Sequence, residues 1–340
     1  MRIGCWNYYE ELNTNNFMFR CPNASIGDDL LKPINLLYAR AKQLNVQLQT
    51  LDTVEDFDAL DALLFMDFPS RRHHLASRAL ALKVPKYLVI WESQIIKPDN
   101  WKIKNHALFK KIFTWNDDLI DNERYFKINF SHLFPEAINK ISSGRKLCTL
   151  IAGNKKISHP LELYSKRMEA IRWFEKHHPG DFEFFGRGWD SYCFSGPLPV
   201  RALNRITLLT RFFAPHFRSF RGAAANKKDV YARYRFAICY ENARDIPGYI
   251  TEKIFDCFFA GCVPVYWGAS NVTDHIPAEC FIDKRMFDNY ESLYDYLKNM
   301  SDKKYMSFLD NIELFLKSKK ACLFSADAFA DTVVHEMMRG

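Results

Sequence analysis

The sequence has no apolar run long enough to cross a membrane. No stretch holds the roughly 18 uncharged apolar residues that a spanning helix needs, and residues 1–7 lack the apolar core of a signal peptide. Long basic runs and recognisable nucleic-acid modules are also missing. We therefore expect a cytoplasmic protein with no nucleic-acid partner and at most peripheral contact with the inner membrane.

The sequence also has little that could hold a metal ion. Cys257 and Cys262 have no second Cys or His pair at zinc-site spacing, and the histidine pairs at 73–74 and 177–178 have no helical partner. We expect no metal and no cofactor. The nine cysteines are odd in number, and five of them lie in apolar runs typical of a core, which fits a reducing compartment. These five are Cys5, Cys148, Cys239, Cys257 and Cys262.

Apolar and aromatic residues are plentiful. They make up 48% and 15% of the 340 residues, so the chain should fold throughout. The length exceeds that of a typical single core and favours two domains with a cleft between them. Lys and Arg outnumber Asp and Glu by 47 to 40, an excess that fits a phosphate-bearing ligand but decides nothing by itself.

Short apolar runs alternate with helical patterns in both halves, as in parallel βα units. Strands are predicted at residues 2–6, 46–50, 59–66, 85–91, 111–115, 147–152, 182–185, 236–240 and 263–267. Helices are predicted at residues 32–44, 71–83, 160–176, 251–260, 292–300 and 303–316, with a final one that begins at Ser325.

The polar, short side chains between residues 135 and 145 indicate a domain boundary. We expect an α/β fold of two Rossmann-like domains that face a central cleft. The first domain is predicted at residues 1–143, the second at 144–322, and a C-terminal helix at 323–340. Residues 191–226 show no clear period and are predicted as a long loop or mixed insert.

The most informative segment, residues 234–268, has the form strand, polar loop, helix, strand. Ligands bind at the carboxyl ends of strands in open α/β sheets, so Glu241 and Asn242 stand where a site is expected. On position alone, a turn that merely ends the strand is slightly favoured.

The helix that follows is apolar almost all round, and Lys253 in its first turn opposes the helix dipole. A bound diphosphate would compensate this charge, and Gly248 would let the backbone approach such a ligand closely. The alternative is a solvated lysine at a frayed helix end.

Three runs in this segment resemble the donor-binding signature of the α1,3/α1,4-fucosyltransferases, glycosyltransferase family 10. They are residues 241–242, 248–254 and 260–268, and the similarity extends upstream to residues 153–154 and Arg167. The resemblance implies the GT-B architecture, GDP-fucose held by the second domain, and an acceptor sugar held mainly by the first. Arg167 without the resemblance would be taken as an ordinary exposed helix residue. The donor-binding residues implied are Asn154, Arg167, Glu241, Asn242, Tyr249, Thr251, Glu252 and Lys253.

Inverting transfer also needs a carboxylate in the first domain to accept the proton of the acceptor hydroxyl. Asp67, Glu92 and Asp117 each follow a predicted strand, and the residues alone leave the three nearly level. Glu92 resembles the family's glutamate in the equivalent loop, so the resemblance selects Glu92 as the catalytic base.

The sequence thus predicts a glycosyltransferase that moves L-fucose from GDP-fucose to an acceptor glycan, as an α1,3-fucosyltransferase acting on N-acetylglucosamine or glucose. Its expected partners are the GDP-sugar and an oligosaccharide or glycoconjugate acceptor. Two alternatives stay open: the same fold using another GDP-6-deoxyhexose, and a non-catalytic glycan-binding module with a vestigial transferase fold. Ala243 departs from the small polar residue common in the family, and neither a membrane anchor nor a basic aromatic tail is recognisable.

Overall fold

Two parallel β-sheets with flanking helices make up the protein in the computed structural model, which describes residues 1–21, 31–192, 194 and 197–339. The first sheet has the strand order β2-β1-β3-β4-β5-β6. Because the chain changes direction between β1 and β3, their carboxyl ends form a switch point, where ligands commonly bind. The strands are β1 (Arg2–Asn7), β2 (Gln47–Thr50), β3 (Ala62–Met66), β4 (Lys86–Ile90), β5 (Lys111–Thr114) and β6 (Tyr125–Lys127). The helices of this half are α1 (Phe17–Arg20), α2 (Lys32–Gln43), α3 (His74–Ala81) and α4 (Ile103–His106).

The second sheet has the order β11-β10-β9-β7-β8, with its switch point between β7 and β9. Its strands are β7 (Lys146–Ile151), β8 (Phe182–Phe185), β9 (Tyr234–Tyr240), β10 (Val263–Trp267) and β11 (Ile282–Asp283). Its helices are α5 (Tyr164–His177), α6 (Leu198–Ala202), α7 (Thr207–Phe212), α8 (Lys227–Tyr231), α9 (Glu252–Phe259), α10 (Val272–His275), α11 (Tyr290–Lys298), α12 (Asp302–Leu316) and α13 (Lys319–Cys322).

The predicted pair of α/β domains is confirmed. The long buried strands were recognisable because they are continuous apolar runs; β3, for example, is buried along its whole length. The two strands missed, β6 and β11, hold only three and two residues, too few to show a pattern. The five cysteines expected in the core are all buried. Within residues 191–226, the described residues form the two short helices α6 and α7, which fits a mixed insert.

The last helix, α14 (Ala326–Met338), packs against α2 of the first half. Phe329 and Val333 on α14 share one buried apolar cluster with Leu37 on α2. Lys111 Nζ also lies 2.9 Å from Glu336 Oε2. The chain therefore crosses from the first sheet to the second and back again, and α14 completes the first domain. We retain the boundaries near residues 143 and 322 as a proposal.

A network around Asp117 joins the two sheets. Its Oδ2 lies 2.7 Å from His275 Nε2 and accepts from Asn271 Nδ2 at 2.8 Å, while Oδ1 accepts from Lys127 Nζ at 2.6 Å. Burial would raise the pKa of Asp117, but these hydrogen bonds hold it well below its ordinary value. Asp117 is therefore an ionised contact between the domains.

Beside this network, the backbone of Gly248 lies close to the backbone of the first domain. Its φ is +76°, and a Cβ atom there would lie 2.2 Å from the carbonyl oxygen of Trp115. The Gly248 N–H donates to Asn271 Oδ1 at 2.8 Å. The contact with the first domain therefore requires glycine at this position, and the approach of the Gly248 backbone to a ligand stays a prediction.

Candidate active site

Glu92 stands just beyond the carboxyl end of β4 and faces the second domain. Its side chain is half-buried, and its Oε1 accepts a hydrogen bond of 2.7 Å from Tyr9 Oη, just after β1. Burial raises the pKa of Glu92, and the charge of Glu252 raises it further. The Tyr9 hydrogen bond and the charges of Lys253 and Lys155 act in the opposite direction. Three charged groups of the second domain therefore act on this carboxylate across the cleft.

Asp67, another acid considered as a base, lies beneath the Glu92 loop. Its Oδ1 accepts from the backbone N–H groups of Trp91 (2.9 Å) and Glu92 (3.0 Å) and from Asn100 Nδ2 (2.6 Å). Asp67 is 3% exposed, and burial with the nearby Glu92 charge raises its pKa to about 7. Its contacts make it a positioning residue for Glu92. Asp117 is hydrogen-bonded between the two domains. The three acids, which the sequence alone did not distinguish as candidate bases, therefore have different surroundings in the structure.

Glu241, at the carboxyl end of β9, is the centre of the second domain's half of the site. Its side chain is 0% exposed and accepts from the Thr251 N–H (2.8 Å), Thr251 Oγ1 (2.6 Å) and Lys253 Nζ (3.1 Å). Glu241 therefore fixes the start of α9 rather than merely ending a strand. Thr251, predicted inside the first turn, is the N-cap with extended backbone angles.

Lys253 is neither frayed nor fully solvated. Besides Glu241, its Nζ contacts Thr251 Oγ1 at 2.9 Å and Glu252 Oε1 at 3.5 Å. Burial would lower the pKa of Lys253, but the charges of Glu241 and Glu252 raise it well above its ordinary value. The Glu241 carboxylate therefore compensates this lysine within the chain, and the diphosphate expected beside Lys253 stays a prediction.

Arg167, on α5, is 6% exposed. The interpretation made without the family resemblance, an ordinary exposed helix residue, is therefore wrong. Its Nη2 donates to the Tyr240 carbonyl (2.7 Å) and to Asn242 Oδ1 (3.0 Å). The guanidinium also lies over the Tyr164 ring, 4.9 Å from its centroid. These contacts bring α5 to the carboxyl end of β9.

A cavity of about 780 Å³ opens beside Arg167, next to the β7–β9 switch point. Asn154 lies on its wall, where its Nδ2 donates to the Gly188 carbonyl at 2.9 Å. Four basic side chains of the wall outnumber the two acidic ones, Glu162 and Glu169, so the cavity suits an anion. The basic residues are Lys155, Lys156, Arg167 and Arg172. Only Arg167 among these four was predicted from the sequence, although Lys155 and Lys156 directly follow residues 153–154.

Tyr164 links this cavity to the cleft. It lines the cavity; burial raises the pKa of its hydroxyl and the charge of Glu92 raises it further, while the charges of Arg167 and Lys253 lower it. These groups belong to both domains. The base candidate, the two cations and the cavity therefore share one site.

Two predicted donor-binding residues lie at the edge of this arrangement. Tyr249 is 1% exposed and packs against Trp115 of the first domain, with ring centroids 4.7 Å apart. The Glu252 side chain is 41% exposed; burial would raise its pKa, but Lys253 and Lys227 lower it. Their roles as donor contacts stay predictions.

No group of three or more potential metal-ligating side chains occurs among the described residues. The chain has an Asp-x-Asp sequence at residues 56–58, but there Asp56 accepts from the Asp58 N–H at 3.0 Å in a 3-10 helix of the first domain. Within the same described part of the chain, no helix is long and apolar enough to span a membrane.

Comparisons with known proteins point to one family. Residues 200–322 match the family model for the C-terminal region of glycosyltransferase family 10 (fucosyltransferase). The alpha-(1,3)-fucosyltransferase FucT of Helicobacter pylori is 28% identical over 201 residues, which cover 54% of this chain and 39% of that protein. The alpha-(1,4)-fucosyltransferase of Arabidopsis thaliana is 38% identical over 71 residues, covering 21% of this chain and 18% of that protein. The chain thus matches less than half the length of either relative.

Solved structures agree on the architecture. An alpha1,3-fucosyltransferase with GDP-fucose has a TM-score of 0.54 at 15% identity, covering 98% of this chain and 90% of the other. The T4 phage glucosyltransferase BGT in complex with UDP-glucose has a TM-score of 0.53 at 12% identity, covering 98% of both chains. At such identities the likeness establishes the fold alone.

The fold is the two-domain GT-B fold, as predicted. Its second half carries the segment that matches glycosyltransferase family 10, and the chain is similar there to the fucosyltransferases of that family. This confirms the resemblance drawn from residues 241–268.

Proposed function

We propose that this chain is an inverting glycosyltransferase that moves L-fucose from GDP-fucose to a hydroxyl of an acceptor glycan. The observation that carries the proposal is that Glu92, from the first domain, lies across the cleft from Lys253, from the second, and close to the cavity that Tyr164 and Arg167 line. Displacement of a nucleoside diphosphate by a hydroxyl needs a base on one side and positive charge on the other.

The second domain would bind the diphosphate. Glu241 holds the Thr251 N–H, but the Thr251 side chain caps none of the next N–H groups of α9, so an anion can accept from them. The longest contact of Lys253 Nζ, 3.5 Å to Glu252, is the one that a phosphate oxygen would most readily replace. The basic cavity beside Arg167 has room for the nucleotide.

Glu92 would accept the proton of the attacking hydroxyl. A general base works best when its pKa approaches the working pH, and burial moves the pKa of Glu92 in that direction. Tyr9 orients the carboxylate by its hydrogen bond to Oε1. The hydroxyl oxygen then forms the new bond to the anomeric carbon as the bond to GDP breaks, and the cations of the second domain stabilise the departing charge.

The finer parts of the proposal follow the family resemblance. They are α1,3 linkage to N-acetylglucosamine or glucose, a cytoplasmic location, and transfer without a metal ion.

Calorimetric titration with GDP tests the donor site directly. Arg167→Ala removes a charge-assisted contact, so GDP affinity should fall about ten- to a hundredfold. Lys176→Ala is the matched control, since Lys176 is an exposed basic residue of the same helix, α5, and does not line the cavity. Full GDP affinity in a folded Arg167→Ala protein would contradict the proposal.

A further inference from the structure

The stretch between Asp190 and Asp229 contains no acidic residue. It holds five arginines and two lysines, and these seven charges equal the formal net charge of the whole chain, +7. The arginines are Arg201, Arg205, Arg211, Arg218 and Arg221. Ion pairs neutralise only part of this charge. One example is the pair of Arg221 with Glu183, at 2.8 Å. The first three arginines are exposed and make no ion pair within the described part of the chain.

The same stretch exposes large apolar side chains. Four such side chains among the described residues are at least 80% exposed, and three of them are Leu198 (80%), Leu208 (84%) and Phe212 (82%); the fourth is Met286. Ile206 and Phe213 add further exposed area, at 50% and 51%. Single exposed apolar residues are ordinary, but a cluster of them marks an interaction surface.

Apolar and basic side chains share one face on each short helix. On α7, Leu208, Arg211 and Phe212 stand at positions i, i+3 and i+4, while Thr210 faces inward and is 7% exposed. On α6, Leu198 and Arg201 repeat the i, i+3 spacing. We call the exposed face formed by these five residues and the intervening Arg205 and Ile206 the basic apolar face.

We propose that the basic apolar face docks this protein on an anionic phospholipid bilayer. Leucine and phenylalanine side chains that protrude between arginines fit the boundary between acyl chains and anionic headgroups. A nucleic acid would satisfy the arginines but not the protruding leucines, and a neutral protein partner would not need the uncompensated charge. Charge and exposure together favour the bilayer.

The position of this face has a consequence for the site. Tyr192 and Phe213, from the same stretch, line the cavity beside Arg167. A bilayer on the basic apolar face would therefore lie close to the proposed donor site. The docking itself needs no transfer activity, so its test is independent of the proposed function.

Sedimentation with lipid vesicles tests the proposal. The full chain should sediment with phosphatidylcholine vesicles that contain phosphatidylglycerol, and far less with phosphatidylcholine alone. Arg201→Gln/Arg205→Gln/Arg211→Gln should weaken the partition about a hundredfold, because each basic residue near an anionic surface contributes roughly a factor of five. Leu208→Ser/Phe212→Ser should weaken it at least tenfold.

Matched controls separate this face from general charge and apolar area. Lys42→Gln/Lys83→Gln/Lys303→Gln removes three exposed charges elsewhere, and Leu314→Ser removes a side chain that is 71% exposed on α12. Both controls should keep vesicle binding. Circular dichroism checks that every variant is folded.

Several results would overturn the proposal. They are no binding to anionic vesicles, equal binding to neutral ones, or full binding by both face variants. Concentration-dependent dimerisation without vesicle binding, abolished by Leu208→Ser/Phe212→Ser, would instead assign the face to a second copy of this chain.

Discussion

The pairing of Lys253 with the buried Glu241 can be tested by removing the lysine charge. Lys253→Met keeps the apolar stem of the side chain and deletes the ammonium group. Glu241, at 0% exposure, would then retain only its two hydrogen bonds from Thr251. The variant therefore leaves a buried carboxylate without its cation.

Removing one partner of a buried ion pair costs about 3–5 kcal/mol. The Lys253 side chain is 20% exposed, so water moderates the loss, and we expect about 2–3 kcal/mol of destabilisation. Glu241→Gln in the same background should restore most of this stability, because a neutral amide oxygen can still accept from Thr251. GDP affinity should fall about ten- to a hundredfold in the single variant and stay low in the double variant, since the ammonium is missing from both.

Urea unfolding measures the stability of the four proteins of this double-mutant cycle. Circular dichroism and tryptophan fluorescence must give coincident transitions, because two domains can unfold separately. Loss of stability in Lys253→Met without recovery by Glu241→Gln would contradict this role of the ion pair. The cost would then come from something other than the unpaired carboxylate.

Four further outcomes are expected. Glu92→Gln should lower turnover about 10²–10⁴-fold with near-normal GDP affinity, as measured by product formation and calorimetry. Because burial raises the pKa of Glu92 and Tyr9 lowers it, activity should fall on acidification above the ordinary glutamate pKa, and Tyr9→Phe should move this limb to higher pH. Asp67, with its pKa raised to about 7, contributes stability at acidic pH that is lost as pH rises through 7. Asp67→Asn should therefore reduce the dependence of the free energy of unfolding on pH, as measured by urea unfolding, and should keep turnover because the amide oxygen can still accept the same hydrogen bonds. Transfer should survive EDTA, and complete loss restored by manganese would contradict metal independence.

Much of the fold could be predicted because the buried strands are continuous apolar runs. The part of the site on residues 241–254 was also visible, since Lys253 stands against a helix dipole in an otherwise apolar helix. The reason for that lysine was not visible. It depends on the depth of the Glu241 carboxylate, which no local pattern reveals.

The sequence also does not show which distant segments are in contact in the folded chain. Asp67 and Asp117 follow strands just as Glu92 does, and only the tertiary structure shows Asp67 beneath the Glu92 loop and Asp117 between the domains. Arg167 is similar, because its burial depends on Tyr240 and Asn242, more than 70 residues away. The family resemblance supplied what the spacing could not.

Transfer of fucose from GDP-fucose to a sugar hydroxyl can be measured by mass spectrometry of an acceptor array. Wild-type protein and Glu92→Gln are each incubated with GDP-fucose or other GDP-6-deoxyhexoses and a panel of N-acetylglucosamine- and glucose-terminated acceptors. We expect acceptors heavier by one fucose residue with the wild type and far less product with Glu92→Gln. A wild-type protein that binds GDP yet forms no product with any acceptor, or transfers only another GDP-linked sugar, would contradict it.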